Sequence, residues 1–158
     1  MKTKTNAMRR LDQAKIPYET AEYEVDESNL SGVHLAASIG VDVRKVFKTL
    51  VARGERTGLH VFVIPAAEEL DLKKCAAVIG DKRVEMIAVK ELLPLTGYIR
   101  GGCSPIGMKK KYPTYIDASA EHEEKIYVSA GQRGLQIILA PRALAELIEA
   151  PFADLIKA

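Results

Sequence analysis

Two apolar runs of strand type, Val46-Phe47-Lys48-Thr49-Leu50-Val51 and Leu59-His60-Val61-Phe62-Val63-Ile64, flank Arg53 to Gly58, a segment of hairpin composition. The second run is continuous, as in a buried strand, so the pair calls for a sheet with other elements packed around it. The first run carries one exception. By period-2 alternation Lys48 shares a face with Val46 and Leu50. A desolvated ammonium without an anionic partner is costly, so an inward-facing lysine implies an internal carboxylate or an incoming anion such as a phosphate. The alternatives are an edge-strand lysine that discourages aggregation, or one whose stem is buried while its head reaches water. The loop Thr96-Gly97-Tyr98-Ile99-Arg100-Gly101-Gly102-Cys103-Ser104-Pro105-Ile106-Gly107, followed by Lys109-Lys110-Lys111, favours the anion. Together the two features point to a site for a phosphate-bearing ligand.

Around this centre the remaining elements are legible from caps and periodicity. Asn6 is placed to cap a helix with Met8 and Leu11 on one face, ended by Ile16-Pro17, and Tyr18 to Val25 reads as a strand. After the polar loop Asp26 to Ser31, Ser31 caps a short helix that stops at Gly40. Asp71 caps the clearest helix, with Leu72, Cys75, Ala76 and Ile79 at helical spacing and Gly80 at its end. Val84 to Ala88 is a strand candidate, and Val89, Leu92 and Leu93 outline a helix stopped near Pro94. Thr114 to Asp117, Lys125 to Ser129 and Leu135 to Leu139 are further strands, before a helix opened by Pro141. Strands occur both as hairpin neighbours and separated by helices, so a mixed sheet with helices around it is expected.

With 158 residues, 47% of them hydrophobic, the chain can build one core, and residues 1–158 read as a single domain. The formal charge of +2 argues against a protein that coats nucleic acid, so any such contact should be local, at Lys73-Lys74, Lys82-Arg83 or Lys109 to Lys111. Cys75 and Cys103 lack CxxC spacing, which excludes a disulfide framework. Met1 to Asn6 contains no apolar leader segment and no run is long enough to span a bilayer, so a cytoplasmic protein without membrane contact is expected.

Most catalytic constellations are missing from the sequence. His34, His60 and His122 are scattered, without zinc-type spacing, so no metal is expected. Gly101-Gly102 ahead of Cys103-Ser104-Pro105 does not open a dinucleotide-binding helix, and no nucleotide loop of the GxxxxGK type is present. Cys103, beside Arg100, could be a thiolate nucleophile, but without a candidate base it reads as a small apolar filler, as does Cys75. What remains is a glycine loop able to approach a ligand closely, with Lys48, Tyr23 and Ser129. Such a set can orient and polarise but offers no strong base. It suits a substrate already activated for hydrolysis, and an aminoacyl ester is one.

Four blocks, in order, resemble the YbaK proteins. They are Phe47 to Val51, Leu70 to Gly80, Thr96 to Gly107 with its lysine tail, and Ile126-Tyr127-Val128-Ser129-Ala130-Gly131-Gln132-Arg133-Gly134-Leu135. YbaK proteins are Cys-tRNA(Pro) deacylases, of the superfamily that includes the editing domain of bacterial prolyl-tRNA synthetase. The resemblance implies a mixed α/β (α+β) fold with a central, mixed, barrel-like sheet flanked by helices, and trans-editing of Cys-tRNA(Pro), with Cys-tRNA(Cys) as a second substrate. It implies Lys48, Gly101 and Gly102 as catalytic, Tyr23, Ser104, Ser129 and Gly131 as substrate-binding, and no cofactor. The implied partners are aminoacylated tRNA(Pro) and prolyl-tRNA synthetase, for a monomer or weak dimer. In that family the cysteinyl thiol is thought to attack its own carbonyl, which agrees with the missing protein nucleophile. Cys103 stands where relatives generally carry a small aliphatic residue and Cys75 where alanine is common. A deacylase for Ala-tRNA(Pro) or another small aminoacyl group is the nearest rival reading. A non-catalytic tRNA or nucleotide-binding module is a second, opposed by the retention of Lys48, the double glycine and Ser129.

Overall fold

A computed structural model describes residues 4–158; residues 1–3, the start of the segment read above for a leader, lie outside the described residues. The chain begins with α1 (Asn6–Gln13), β1 (Glu19–Glu22), α2 (Gly32–Ile39) and a 3₁₀ turn, Val43–Lys45. The hairpin β2 (Phe47–Gly54) and β3 (Gly58–Pro65) follows, then α3 (Leu72–Ile79), β4 (Val84–Met86) and α4 (Val89–Thr96). After the glycine loop come β5 (Thr114–Asp117), the 3₁₀ segment Ala118–His122, β6 (Ile126–Ser129), β7 (Leu135–Leu139), α5 (Pro141–Ile148) and β8 (Phe152–Ala153).

The fold is mixed α/β, and its strands divide into two sheets. One is three-stranded, in the order β1-β7-β6, and the other five-stranded, in the order β4-β2-β3-β5-β8. The larger sheet is mixed, since β2 pairs antiparallel with β3 while β3–β5 and β5–β8 are parallel. A single parallel bridge, Val46 to Tyr127, joins the sheets at the start of β2. They do not close into a continuous barrel among the described residues.

Packing explains the continuous apolar stretch of β3 from Val61 to Ile64. Val63 faces the inter-sheet core with Phe47, Ile116, Ile126, Val128 and Ile137, while Phe62 and Ile64 face a second core built on Cys75 and Ala76 of α3. Both faces of β3 are therefore dry. At the hairpin tip Gly58 takes φ +80°, the left-handed conformation a short turn requires. The Asp81 carboxylate accepts from the backbone N–H groups of Arg56 and Thr57 at 3.1 and 3.0 Å and clamps that tip.

Three local expectations are corrected. The cap of α1 is Thr5, whose hydroxyl accepts from Met8 N at 3.2 Å, while Asn6 is already helical and donates to the Gly107 carbonyl at 3.1 Å. Helix α4 runs through Pro94 to Thr96. The ring forfeits one backbone bond, but the Thr96 hydroxyl donates to Leu92 O at 2.7 Å and Gly97 N to Leu93 O at 2.9 Å, which hold the last turn. The first strand is shorter than Tyr18 to Val25, because β7 pairs only with Glu19–Glu22. No helix among the described residues is long and apolar enough to cross a membrane.

Asp117 ties the carboxyl-terminal strand to this frame. It is buried at 2% exposure, with Oδ1 accepting from Leu155 N at 2.9 Å and Oδ2 from Ser119 N at 3.1 Å. Removing it strands a buried N–H. Asp117→Ala is expected to lower unfolding free energy by about 2 kcal/mol, roughly the worth of a hydrogen bond to a charged group. Urea denaturation followed by circular dichroism checks this, and an unchanged midpoint would deny Asp117 that role.

Candidate active site

Strand β4 pairs only with Ala52–Gly54 and β6 touches β2 only at the Val46–Tyr127 bridge, so the stretch between them has no partner strand on that side. The direction of its free backbone groups follows from the ladder. Ala66 N donates to Val46 O at 2.8 Å, which makes the even-numbered residues of β2 the ones that bond to β3. Phe47, Thr49 and Val51 therefore turn their N–H and carbonyl groups outward. The parallel Val46–Tyr127 bridge occupies this side at Phe47, Ile87 N meets the Val51 carbonyl at 3.3 Å, and between them the N–H and carbonyl of Thr49 have no partner strand.

A cavity of about 560 Å³ lies along this open edge, a volume typical of small-ligand sites. Lys48 lines it, half-buried and with no hydrogen bond or ion pair among the described residues. Desolvation pushes its pKa below the ordinary 10.5, and the carboxylates of Glu69 and Glu68 oppose that only through space. Glu69 is already engaged by Lys157 at 3.0 Å. The internal-carboxylate explanation for the lysine thus fails, and an ammonium without a close partner faces the cavity.

Gly101 and Ser129 line the same cavity. Gly101 has φ +83°, and neither its N–H nor that of Cys103 has a partner among the described residues. Ser129 accepts from Gly131 N at 3.1 Å, which leaves its hydroxyl hydrogen free to donate. The other residues singled out from the sequence brace the walls rather than line them. Gly102 N donates to Ile99 O at 2.9 Å, so that N–H is used inside the loop, and an added Cβ would sit 3.0 Å from Arg133 N. Ser104 is fully buried and accepts from Ile106 N at 3.2 Å. Gly131 (φ +107°) makes room for the Tyr98 ring, whose Cε1 would lie 2.9 Å from a Cβ there. Tyr23 packs with Leu35, Val46 and Tyr127 behind the cavity wall.

Sequence patterning does not single out Thr49 or Gln136, yet both line the cavity. Gln136 is 3% exposed and its Oε1 has no hydrogen-bond partner among the described residues. The signal was present in the chain: a lone amide in Leu135-Gln136-Ile137-Ile138-Leu139 is anomalous for the same reason as Lys48.

The cysteines are poor nucleophiles here. Burial pushes the thiols of Cys75 and Cys103 up to about 12, so both are protonated at neutral pH. Cys103 lines the cavity as an apolar filler. His60 lies under the hairpin against Phe62 and Tyr115, its Nε2 2.8 Å from Thr57 Oγ1, and is not in the cavity lining.

Residues 30–147 match the family model described as the aminoacyl-tRNA editing domain. A protein of Enterococcus faecalis named as a candidate Cys-tRNA(Pro)/Cys-tRNA(Cys) deacylase, EbsC, is 51% identical over 96% of this chain and 93% of its own length. A proline–tRNA ligase of Thermosipho africanus is 31% identical over 61% of this chain, which corresponds to 19% of that protein. Among solved structures, a trans-editing candidate for prolyl-tRNA synthetase superposes with a TM-score of 0.82 at 24% identity, covering 99% of this chain and 100% of that one, and so shares the fold.

The depressed pKa of Lys48 carries a stability sign. Folding disfavours its charged form, so the lysine costs stability at neutral pH, and the cost declines as pH rises past the lowered pKa and is gone above the ordinary 10.5. Lys48→Met is therefore expected to melt no lower than wild type at pH 7, with any advantage shrinking in alkaline buffer. Thermal denaturation over a pH series checks this, and a variant that melts lower at pH 7 would make Lys48 a structural residue.

Proposed function

The chain belongs to the aminoacyl-tRNA editing domain family, and from that premise we propose that it hydrolyses the ester of mischarged Cys-tRNA(Pro), with Cys-tRNA(Cys) as a second substrate. The observation that carries this reading is the cavity itself, which offers an unpaired ammonium, free backbone donors and no ionised nucleophile. Lys48 takes the phosphate of the terminal adenosine. The open backbone of Thr49 holds the aminoacyl nucleoside against β2, and Ser129 donates to it. The N–H groups of Gly101 and Cys103 steady the oxyanion as charge develops on the carbonyl. Gly102, Ser104, Gly131 and Tyr23 support the substrate indirectly, through the walls they hold in place.

The reacting sulfur comes from the substrate. The cysteinyl thiol adds to its own carbonyl carbon, the C–O bond to the ribose breaks, and the thiol proton passes to the departing ribose oxygen. The four-membered thiolactone then opens with water to release cysteine. Orientation supplies most of the acceleration, because the nucleophile is already covalently attached to the electrophile. Synthetases discriminate poorly between amino acids that differ by a small apolar group, so a second hydrolytic sieve is the chemical purpose of such a site. On the same reading residues 1–158 act as one domain in the cytoplasm, as a monomer or weak dimer that receives its tRNA from prolyl-tRNA synthetase.

Single-turnover hydrolysis of cysteinyl-, seryl- and alanyl-tRNA(Pro) tests the mechanism. Seryl-tRNA(Pro), nearly isosteric with the true substrate, is expected to bind comparably yet react at least about a hundredfold more slowly, since its hydroxyl is a far weaker nucleophile at neutral pH. Equal rates for the cysteinyl and seryl esters at matched binding would replace self-attack with an activated water. Faster loss of alanine than of cysteine would replace the substrate.

A further inference from the structure

The glycine loop has a second concavity on its downstream half. This groove, about 330 Å³, is walled by Arg10 of α1, by Pro105 to Tyr112, and by Leu147 and Ile148 of α5. Arg10, Lys109, Lys110 and Lys111 line it, and no carboxylate does. Glu149 neutralises Lys111. Arg10 and Lys110 make no ion pair or side-chain hydrogen bond among the described residues, and Lys109 Nζ reaches only the Pro94 carbonyl, at 3.4 Å. Three cations thus converge on one groove without a counter-charge, in a chain whose formal charge is only +2.

The groove is built rather than a loose tail. Asn6 Nδ2 donates to Gly107 O at 3.1 Å, the Tyr98 hydroxyl to Ile106 O at 2.5 Å and the Tyr112 hydroxyl to Leu95 O at 2.7 Å. Lys109 N donates to Thr96 O at 3.0 Å and closes the loop on itself. The groove is also tied to the first cavity. Cys103 lines one and Pro105 the other, so at most ~7 Å of chain separates the two walls. A polynucleotide with its end in the first cavity would present its next phosphates at about this range.

We propose that the groove of Arg10, Lys109 and Lys110 binds the phosphodiester backbone of the tRNA acceptor strand while the aminoacyl end occupies the cavity beside Lys48. This rests on the deacylase reading given above. A few phosphates held locally, rather than a broad basic face, fit the near balance of charge over the whole chain. The groove carries affinity for the polynucleotide and plays no part in the chemistry of the ester.

The test compares wild type with Arg10→Gln/Lys109→Gln/Lys110→Gln and with the milder Arg10→Gln/Lys110→Gln. All three side chains are on exposed residues, and a thermal melt of each variant confirms folding. Binding of uncharged tRNA(Pro) is titrated over a salt series, and hydrolysis is followed with cysteinyl-tRNA(Pro) and with the cysteinyl ester of adenosine. The triple variant is expected to bind tRNA at least about tenfold more weakly at low salt and to lose roughly 2 from the magnitude of the log–log salt slope, as two or three lost phosphate contacts require. Its KM should rise for the tRNA ester alone, with kcat and the adenosine ester unaffected. Unchanged tRNA affinity and salt slope would overturn the proposal, as would equal losses with both esters. Should wild type cleave neither ester, the deacylase reading fails, while the titration of uncharged tRNA still decides for or against the groove.

Discussion

An antiparallel ladder satisfies backbone groups on alternate sides, and β4 covers only the last three residues of β2. With β6 touching β2 only at the Val46–Tyr127 bridge, the N–H and carbonyl groups of Thr49 are left without a partner strand. An exposed edge of this kind is normally a liability, inviting another chain to pair. Here it is recessed, with α4, the α2 entry loop and the glycine loop around it forming the cavity walls. Lys48 sits on that recessed stretch, where desolvation penalises its charge and Glu69 and Glu68 offset the penalty only in part, through space. The unpaired ammonium costs stability, and on the proposed reading a ligand that brings an anion and hydrogen-bonding groups to this edge relieves that cost.

Rigid support makes such a poised site possible. Gly102 approaches the 132–133 backbone so closely that a Cβ would be crowded at 3.0 Å, and Gly131 admits the Tyr98 ring in the same way. These contacts seat the glycine loop on the β6–β7 connection, where Ser129 and Gln136 stand in register. The loop's downstream half is anchored as firmly, so one segment presents an apolar, hydrogen-bonding cavity on one side and a cationic groove on the other.

Much of this was legible in the chain because it depends on local rules. Asp71 and Ser31 cap their helices, Pro141 opens one, and the hairpin turns where its glycine composition says it must. Lys48 announced itself by interrupting an apolar run. What escaped depends on distant packing. The strands fall into two sheets that touch only at the Val46–Tyr127 bridge, an arrangement no periodicity encodes. Pro94 sits inside α4 because Thr96 and Gly97 secure the turn after it. Of the paired glycines, Gly101 reaches the cavity whereas Gly102 turns its N–H back to Ile99, a division that depends on the loop's own hydrogen bonding. Gln136 lies in a strand so apolar that burial, and not its chemistry, dominated its appearance.

The central claim is that Lys48 is held without a partner so that it can receive a phosphate. Nuclear magnetic resonance titration of the isotopically labelled Lys48 side chain, with and without adenosine 5′-phosphate, measures this directly. In the free protein its pKa should lie below the ordinary 10.5, as desolvation requires, and saturation with the nucleotide should raise it. A Lys48 that titrates at its ordinary value and does not respond to the bound nucleotide would contradict the account.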